Sequence, residues 1–111
     1  MELELEVRML SERRAVLVLA GRLDAIHAPA VRARIQALVG EGRVELVCDL
    51  REVAFIDASG LAALVSGLKA AREQGGFLKL AGLREPVART FRVTLLDHVF
   101  ELNPTVEAAL A

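Results

Sequence analysis

From Glu2 to Met9 the chain alternates, with Leu3, Leu5 and Val7 on one side and Glu2, Glu4 and Glu6 on the other. A period of two predicts a half-buried strand with one wet face. Ser11-Glu12-Arg13 reads as a turn and Ala15 to Ala20 as a second strand, so the two should form an antiparallel hairpin. Gly21-Arg22-Leu23-Asp24 then breaks the pattern.

The period next changes to that of a helix. Val31, Ile35, Leu38 and Val39 recur at helical spacing, with Arg32, Arg34 and Gln36 on the other side, and Pro29 suits the first turn. Gly40 and Gly42 end this helix, and Val44 to Cys48 follows as a short strand of the kind buried on both faces of a parallel sheet. Asp49 to Ile56 is expected to carry the chain across the sheet edge. A second helix shows its face in Leu61, Leu64, Val65 and Leu68 and stops at Gly75-Gly76. Phe77 to Leu80 is the next strand, Pro86 opens a third helix with Val87 and Phe91 inward, and His98 to Leu102 reads as a last short strand. Asn103-Pro104 is expected to start a C-terminal helix, an N-cap followed by proline at the first helical position.

The order ββαβαβαβα predicts an α/β fold: one domain over residues 1–111, with a mixed, mostly parallel sheet and helices packed on it. Sites in open α/β sheets gather beyond the carboxyl ends of the strands. Asp24 and Ser59 both follow strands, so residues 35 positions apart are expected to be neighbours.

Composition narrows the function. The net charge is −1 and the basic residues are scattered from Arg8 to Arg92, which argues against a phosphate-gripping nucleic-acid surface. With no Trp or Tyr and four Phe, a stacking platform for single strands is missing as well. No apolar run reaches the roughly 18–20 residues of a membrane helix, and Met1 to Val7 lacks the basic start of a signal peptide. The lone Cys48 fits a reducing cytosol and a buried hydrophobic role. A cytoplasmic location without membrane insertion is expected.

The chemistry of interest lies in Phe55-Ile56-Asp57-Ala58-Ser59-Gly60-Leu61, a strand running into a helix. One reading is purely structural. Asp57 would cap the helix by accepting from the N–H of Ser59 or Gly60, Ser59 would be a small first-turn residue, and Gly60 a concession to close packing. A nucleophile elbow, G-x-S-x-G, fails because Asp57 and Leu61 stand where the glycines belong, and neither His27 nor His98 sits in an order that supplies a base. Metal-ligand spacings and a Walker-type phosphate loop are also missing. The remaining reading makes Ser59 a phosphoacceptor, exposed between the slim Ala58 and Gly60. Its phosphate would face the free N–H groups of the helix start and add about −1.5 to −2 charge beside Asp57 and Asp24.

Val47 to Leu64, V-C-D-L-R-E-V-A-F-I-D-A-S-G-L-A-A-L, resembles the signature of the anti-sigma factor antagonists, the STAS domains of bacterial partner-switching systems. Gly21 to Asp24 with Ala28-Pro29, and the tail from His98 to Ala111, are similar to two further elements of that family. The resemblance implies a non-enzymatic regulator that binds an anti-sigma factor serine kinase and frees the sigma factor. The kinase phosphorylates a serine, which ends the interaction, and a serine phosphatase resets it. It implies that Ser59 is the phosphoacceptor, that Asp24 is the acid near it, and that Asp57 opens the motif. Many relatives have Ser-Ser before the glycine, where Ala58 stands here, and many end the third helix with glycine, where this chain has Thr94. A partner face is expected from Asp24, Asp57, Ser59 and Gly60 together with Ser66, Lys69, Arg72 and Glu73 on the hydrophilic edge of the second helix. No cofactor and a monomeric state are expected. The alternatives within the same family are a scaffold of a stress-sensing complex and a cytoplasmic subunit of a lipid or solute transporter.

Overall fold

The computed structural model describes residues 2–111. Strands β1 (Leu3–Met9), β2 (Arg14–Leu23), β3 (Glu45–Ile56), β4 (Phe77–Ala81) and β5 (Leu102–Asn103) form one sheet in the order β1-β2-β3-β4-β5. The β1–β2 pair is the antiparallel hairpin, and β2–β3, β3–β4 and β4–β5 are parallel. Helices α1 (Ala28–Gly40), α2 (Ala58–Glu73), α3 (Glu85–Val93) and α4 (Val106–Leu110) follow the predicted order, with a 3-10 turn at Leu96–His98.

Strand alternation divides the interior in two. Ala15, Leu17 and Leu19 of β2, Leu46, Cys48 and Leu50 of β3, and Leu78 and Leu80 of β4 face one side, under Ile35 and Leu38 of α1, Leu64 and Leu68 of α2, and Val87 and Phe91 of α3. Each such Leu, fully removed from water, contributes about 1.5–3 kcal/mol. Val16, Val47 and Ala81 face the other side, where α4 brings Ala109, with Val106 and Leu110 half-buried beside it. Over Leu46 to Leu50 the central strand β3 is therefore buried on both faces, as the mostly apolar stretch Val44 to Cys48 predicts.

Several features differ from the sequence reading. First, β3 does not stop at Cys48, nor does β2 end before Gly21. Both run on together to Leu23↔Ile56 through two register shifts, each placing one extra residue on β3. The shifts change the spacing of inward positions from two to three, so Leu50, Val53 and Ile56 are all buried while Arg51, Glu52, Ala54 and Phe55 are not. Asp49, which looked like a strand end, is a buried charge held in mid-strand. The Arg51 side chain grips it through Nε at 3.1 Å and Nη2 at 3.0 Å, and the Arg51 N–H adds a third donor at 3.1 Å. Such a carboxylate is tolerated inside only when paired. Second, Gly21 is a strand residue at φ 116°, where a Cβ would lie 2.2 Å from the Glu2 carbonyl oxygen, so only glycine fits.

Third, the last strand is Leu102–Asn103, and His98 belongs to the exposed 3-10 turn. Fourth, the final helix is capped by Thr105, whose Oγ1 accepts from the Ala108 N–H at 3.1 Å. Asn103 instead donates from Nδ2 to Glu101 Oε2 at 3.0 Å. At the end of α3, Thr94 stays right-handed, its Oγ1 donating to the Thr90 carbonyl at 2.7 Å, and Leu95 takes the left-handed conformation at φ 61°.

Candidate functional site

Paired residues Leu23 and Ile56 end β2 and β3 side by side, so the acids that follow, Asp24 and Asp57, leave the same edge of the sheet. The Asp57 N–H donates to the Leu23 carbonyl at 3.3 Å, tying the start of α2 to the end of β2. The order of elements, which puts both loops after strands, predicts this neighbourhood, and the parallel pairing is the physical reason.

Asp57 is extended and its Oδ1 accepts from the Ser59 N–H at 2.9 Å and from the Gly60 N–H at 3.1 Å. Its carbonyl takes the Leu61 N–H at 3.0 Å. The expected cap is present, with a consequence that corrects the sequence reading: the amides at Ser59 and Gly60 are occupied, not free to receive a phosphate. Gly60 is buried, and a Cβ there would stand 2.3 Å from the Leu23 carbonyl oxygen. Glycine at that position lets α2 press against the end of β2 and leaves Ser59 exposed on the outside of the turn.

Asp24 is less available than expected. Its Oδ1 accepts from the N–H groups of Ile26 at 3.1 Å and His27 at 3.2 Å, and lies 2.8 Å from His27 Nδ1. Arg22 Nε stands 3.6 Å from its Oδ2. Partial burial works against ionisation, but the hydrogen bonds and charge of His27, with the Ile26 amide, outweigh it and hold the carboxyl below its ordinary pKa. This acid shapes the loop that leads into α1.

Ser59 lines a hollow of about 280 Å³ together with Ala25 before α1, Ala28, Pro29 and Arg32 of α1, and Ala62 and Ala63 of α2. Arg32 and Ala62 also line a longer groove of about 560 Å³ between α1 and α2, with Gln36, Leu61, Val65, Ser66, Lys69, Ala70, Glu73 and Leu96. The structure thus joins Ser59, Ser66, Lys69 and Glu73 along one surface. Arg72 points away from it and donates from Nη2 to the Val99 carbonyl at 3.4 Å.

The sequence reading missed three features of this edge. Ile26 is 82% exposed, an aliphatic side chain next in sequence to Ala25 of the hollow. Phe55 is covered by the Arg22 guanidinium at 4.0 Å from the ring centroid, a contact made possible by their pairing across β2 and β3. Arg32 was read only as part of a wet helix face. A large aliphatic residue between Asp24 and Pro29 was the available signal for the first; the other two depend on the fold.

With this geometry in place, residues 7–109 match the family model of the STAS domain. The chain belongs to the STAS domain family. This STAS domain is 32% identical over 92 residues to the anti-sigma-B factor antagonist of Bacillus subtilis, covering 83% of this chain and 84% of that protein. The crystal structure of an anti-sigma factor antagonist from Mycobacterium paratuberculosis superposes with a TM-score of 0.86 at 29% identity, covering 98% of this chain and 92% of the other. The unphosphorylated form of the anti-sigma factor antagonist SpoIIAA shares the fold, with a TM-score of 0.84 at 20% identity, covering 96% of this chain and 93% of that one. Among the described residues, no helix of this STAS domain is long and apolar enough to cross a membrane.

Proposed function

We propose that this STAS domain is an anti-sigma factor antagonist that binds an anti-sigma factor serine kinase, is inactivated when that kinase phosphorylates Ser59, and is reset by a serine phosphatase. The observation that carries the reading is the position of Ser59. Its hydroxyl is exposed on a turn fixed by Asp57 and Gly60, at the end of a groove that runs between α1 and α2. The name borne by the Bacillus subtilis relative supports the same role.

Phosphate on Ser59 would stand close to Asp57, whose carboxylate bonds the serine's own amide. The repulsion between these two is present in the free and the bound protein alike. The complex is weakened where the phosphate meets an acid of the partner, because a like-charge pair about 4 Å apart costs up to about 4 kcal/mol at an effective dielectric near 20. Water and counter-ions reduce this, but half of it already weakens a complex more than about tenfold. The role is one of binding, with catalysis belonging to the partner.

The test is a pull-down of the cognate kinase with and without Mg-ATP. Ser59→Ala should bind and never be released by ATP, whereas Ser59→Asp should stay folded and bind poorly. Equal capture by wild type and both variants, with no phosphate on the wild type, would replace the switch by the scaffold or transporter-subunit role.

A further inference from the structure

We infer that Arg32 reads the modification state of Ser59: its guanidinium pairs with a phosphate on that serine, and in doing so leaves the α1–α2 groove. The inference rests on the reading of Ser59 as the phosphoacceptor and adds how the change reaches the partner surface.

The helix start has two fewer donors to offer a phosphate at Ser59 than an uncapped helix would. Asp57 already holds the amides of Ser59 and Gly60 and contributes a like charge beside the phosphate. A nearby cation would offset the charge, and three basic side chains stand near this edge. Arg22 lies over the Phe55 ring and near Asp24. His27 is tied to Asp24 at 2.8 Å. Arg32 lines the same hollow as Ser59, is exposed, and enters none of the ion pairs found among the described residues. Lys69 lies about 15 Å further along α2, beyond its own reach. A guanidinium also suits phosphate better than an ammonium does, because its fork offers two parallel donors.

Arg32 belongs to two surfaces at once. It lines the hollow of Ser59 and, with Gln36, Ser66 and Lys69, the longer groove. Pairing with the phosphate draws its charge to the hollow end and removes a cation from the groove. Phosphorylation then acts on a partner twice, through the new negative charge and through the displaced positive one. No refolding is needed.

The experiment uses full-length chain carrying phosphoserine at position 59 installed during translation, so that no kinase is involved. The phosphate is titrated by phosphorus NMR in wild type, Arg32→Gln, Arg32→Lys and Arg34→Gln, with thermal melts to confirm folding. Arg34 lines neither surface and serves as the control. The second phosphate pKa, about 6 when unperturbed, should lie at least about 0.5 unit lower in wild type than in Arg32→Gln. Arg32→Lys should fall between the two, and Arg34→Gln should match wild type. Phosphorylation should also shift the amide resonances of Gln36 and Ser66 in wild type and leave them in place in Arg32→Gln. Coincident titrations of wild type and Arg32→Gln would overturn the pairing, and equal shifts at Gln36 and Ser66 would overturn the coupling. Either failure leaves the kinase pull-down untouched, and failure of the pull-down leaves these measurements standing.

Discussion

Replacing Gly60 with alanine sets two magnitudes against each other. Alanine is the better helix former by up to about 1 kcal/mol, so propensity alone favours the substitution. The added methyl, however, would lie 2.3 Å from the Leu23 carbonyl oxygen and 2.8 Å from both Ile56 Cγ1 and Leu23 Cγ. The first of these is roughly 1 Å short of an ordinary contact. The closest of the three is backbone and cannot swing aside, the other two belong to buried side chains, and overpacking of this kind costs about 1–3 kcal/mol or more. Because the Asp57 N–H also bonds the Leu23 carbonyl, relief by moving α2 outward would strain that tie as well. The steric cost should win, with a net loss of about 1–2 kcal/mol and a fall in melting temperature of several degrees. Gly40→Ala is the internal control: nothing lies within 4 Å of its added methyl, so it should hold or raise stability. Urea and thermal melts of the two variants decide the matter. A Gly60→Ala protein as stable as wild type would refute the close approach of α2 to β2, and with it the account of how Ser59 is presented.

Asp57→Ala, which removes the acceptor of two amides, should lower stability by about 0.5–2 kcal/mol in a denaturant melt. Asp57→Asn, which retains a cap oxygen, should lose only a few tenths, and both losses should slow phosphorylation of Ser59 in the order of their size. Asp24 has a lowered pKa in the folded state, so its contribution is complete above the ordinary carboxylate pKa and is lost as the pH falls through the folded value. The stability advantage of wild type over Asp24→Asn should accordingly shrink between about pH 5 and pH 3, as read from melts across that range. Lys69→Glu, at an exposed groove position, should weaken kinase capture with no change in melting temperature, whereas Asp24→Lys should reduce both. Burial, aided by the charge of Asp49, pushes the Cys48 thiol up to about 12. Iodoacetamide at neutral pH should therefore label Cys48 only as fast as the protein unfolds, as followed by mass spectrometry.

Much of this protein was legible in one dimension because its determinants are local. The alternation of Leu3, Leu5 and Val7, the helical spacing of Val31, Ile35 and Leu38, and an acid two residues ahead of Ser59 each act within a few positions along the chain. They suffice for the order of elements, the antiparallel start, the dry central strand and the Asp57 cap. Only the tertiary structure could decide features that depend on a partner distant in sequence. The extra residues in β3 are defined solely by what β2 places opposite them, so Leu50, Val53 and Ile56 lose their period of two and read as irregular. Asp49 resembles a strand end until Arg51 is seen to close over it. Thr105 displaces Asn103 as the helix cap because pairing with β4 draws Asn103 into the sheet. Arg32 is one more charge on a wet helix face until α1 and α2 pack side by side, which sets it in one hollow with a serine 27 positions away. Side-chain periodicity records which face of an element is dry; it carries no record of which elements that face will meet.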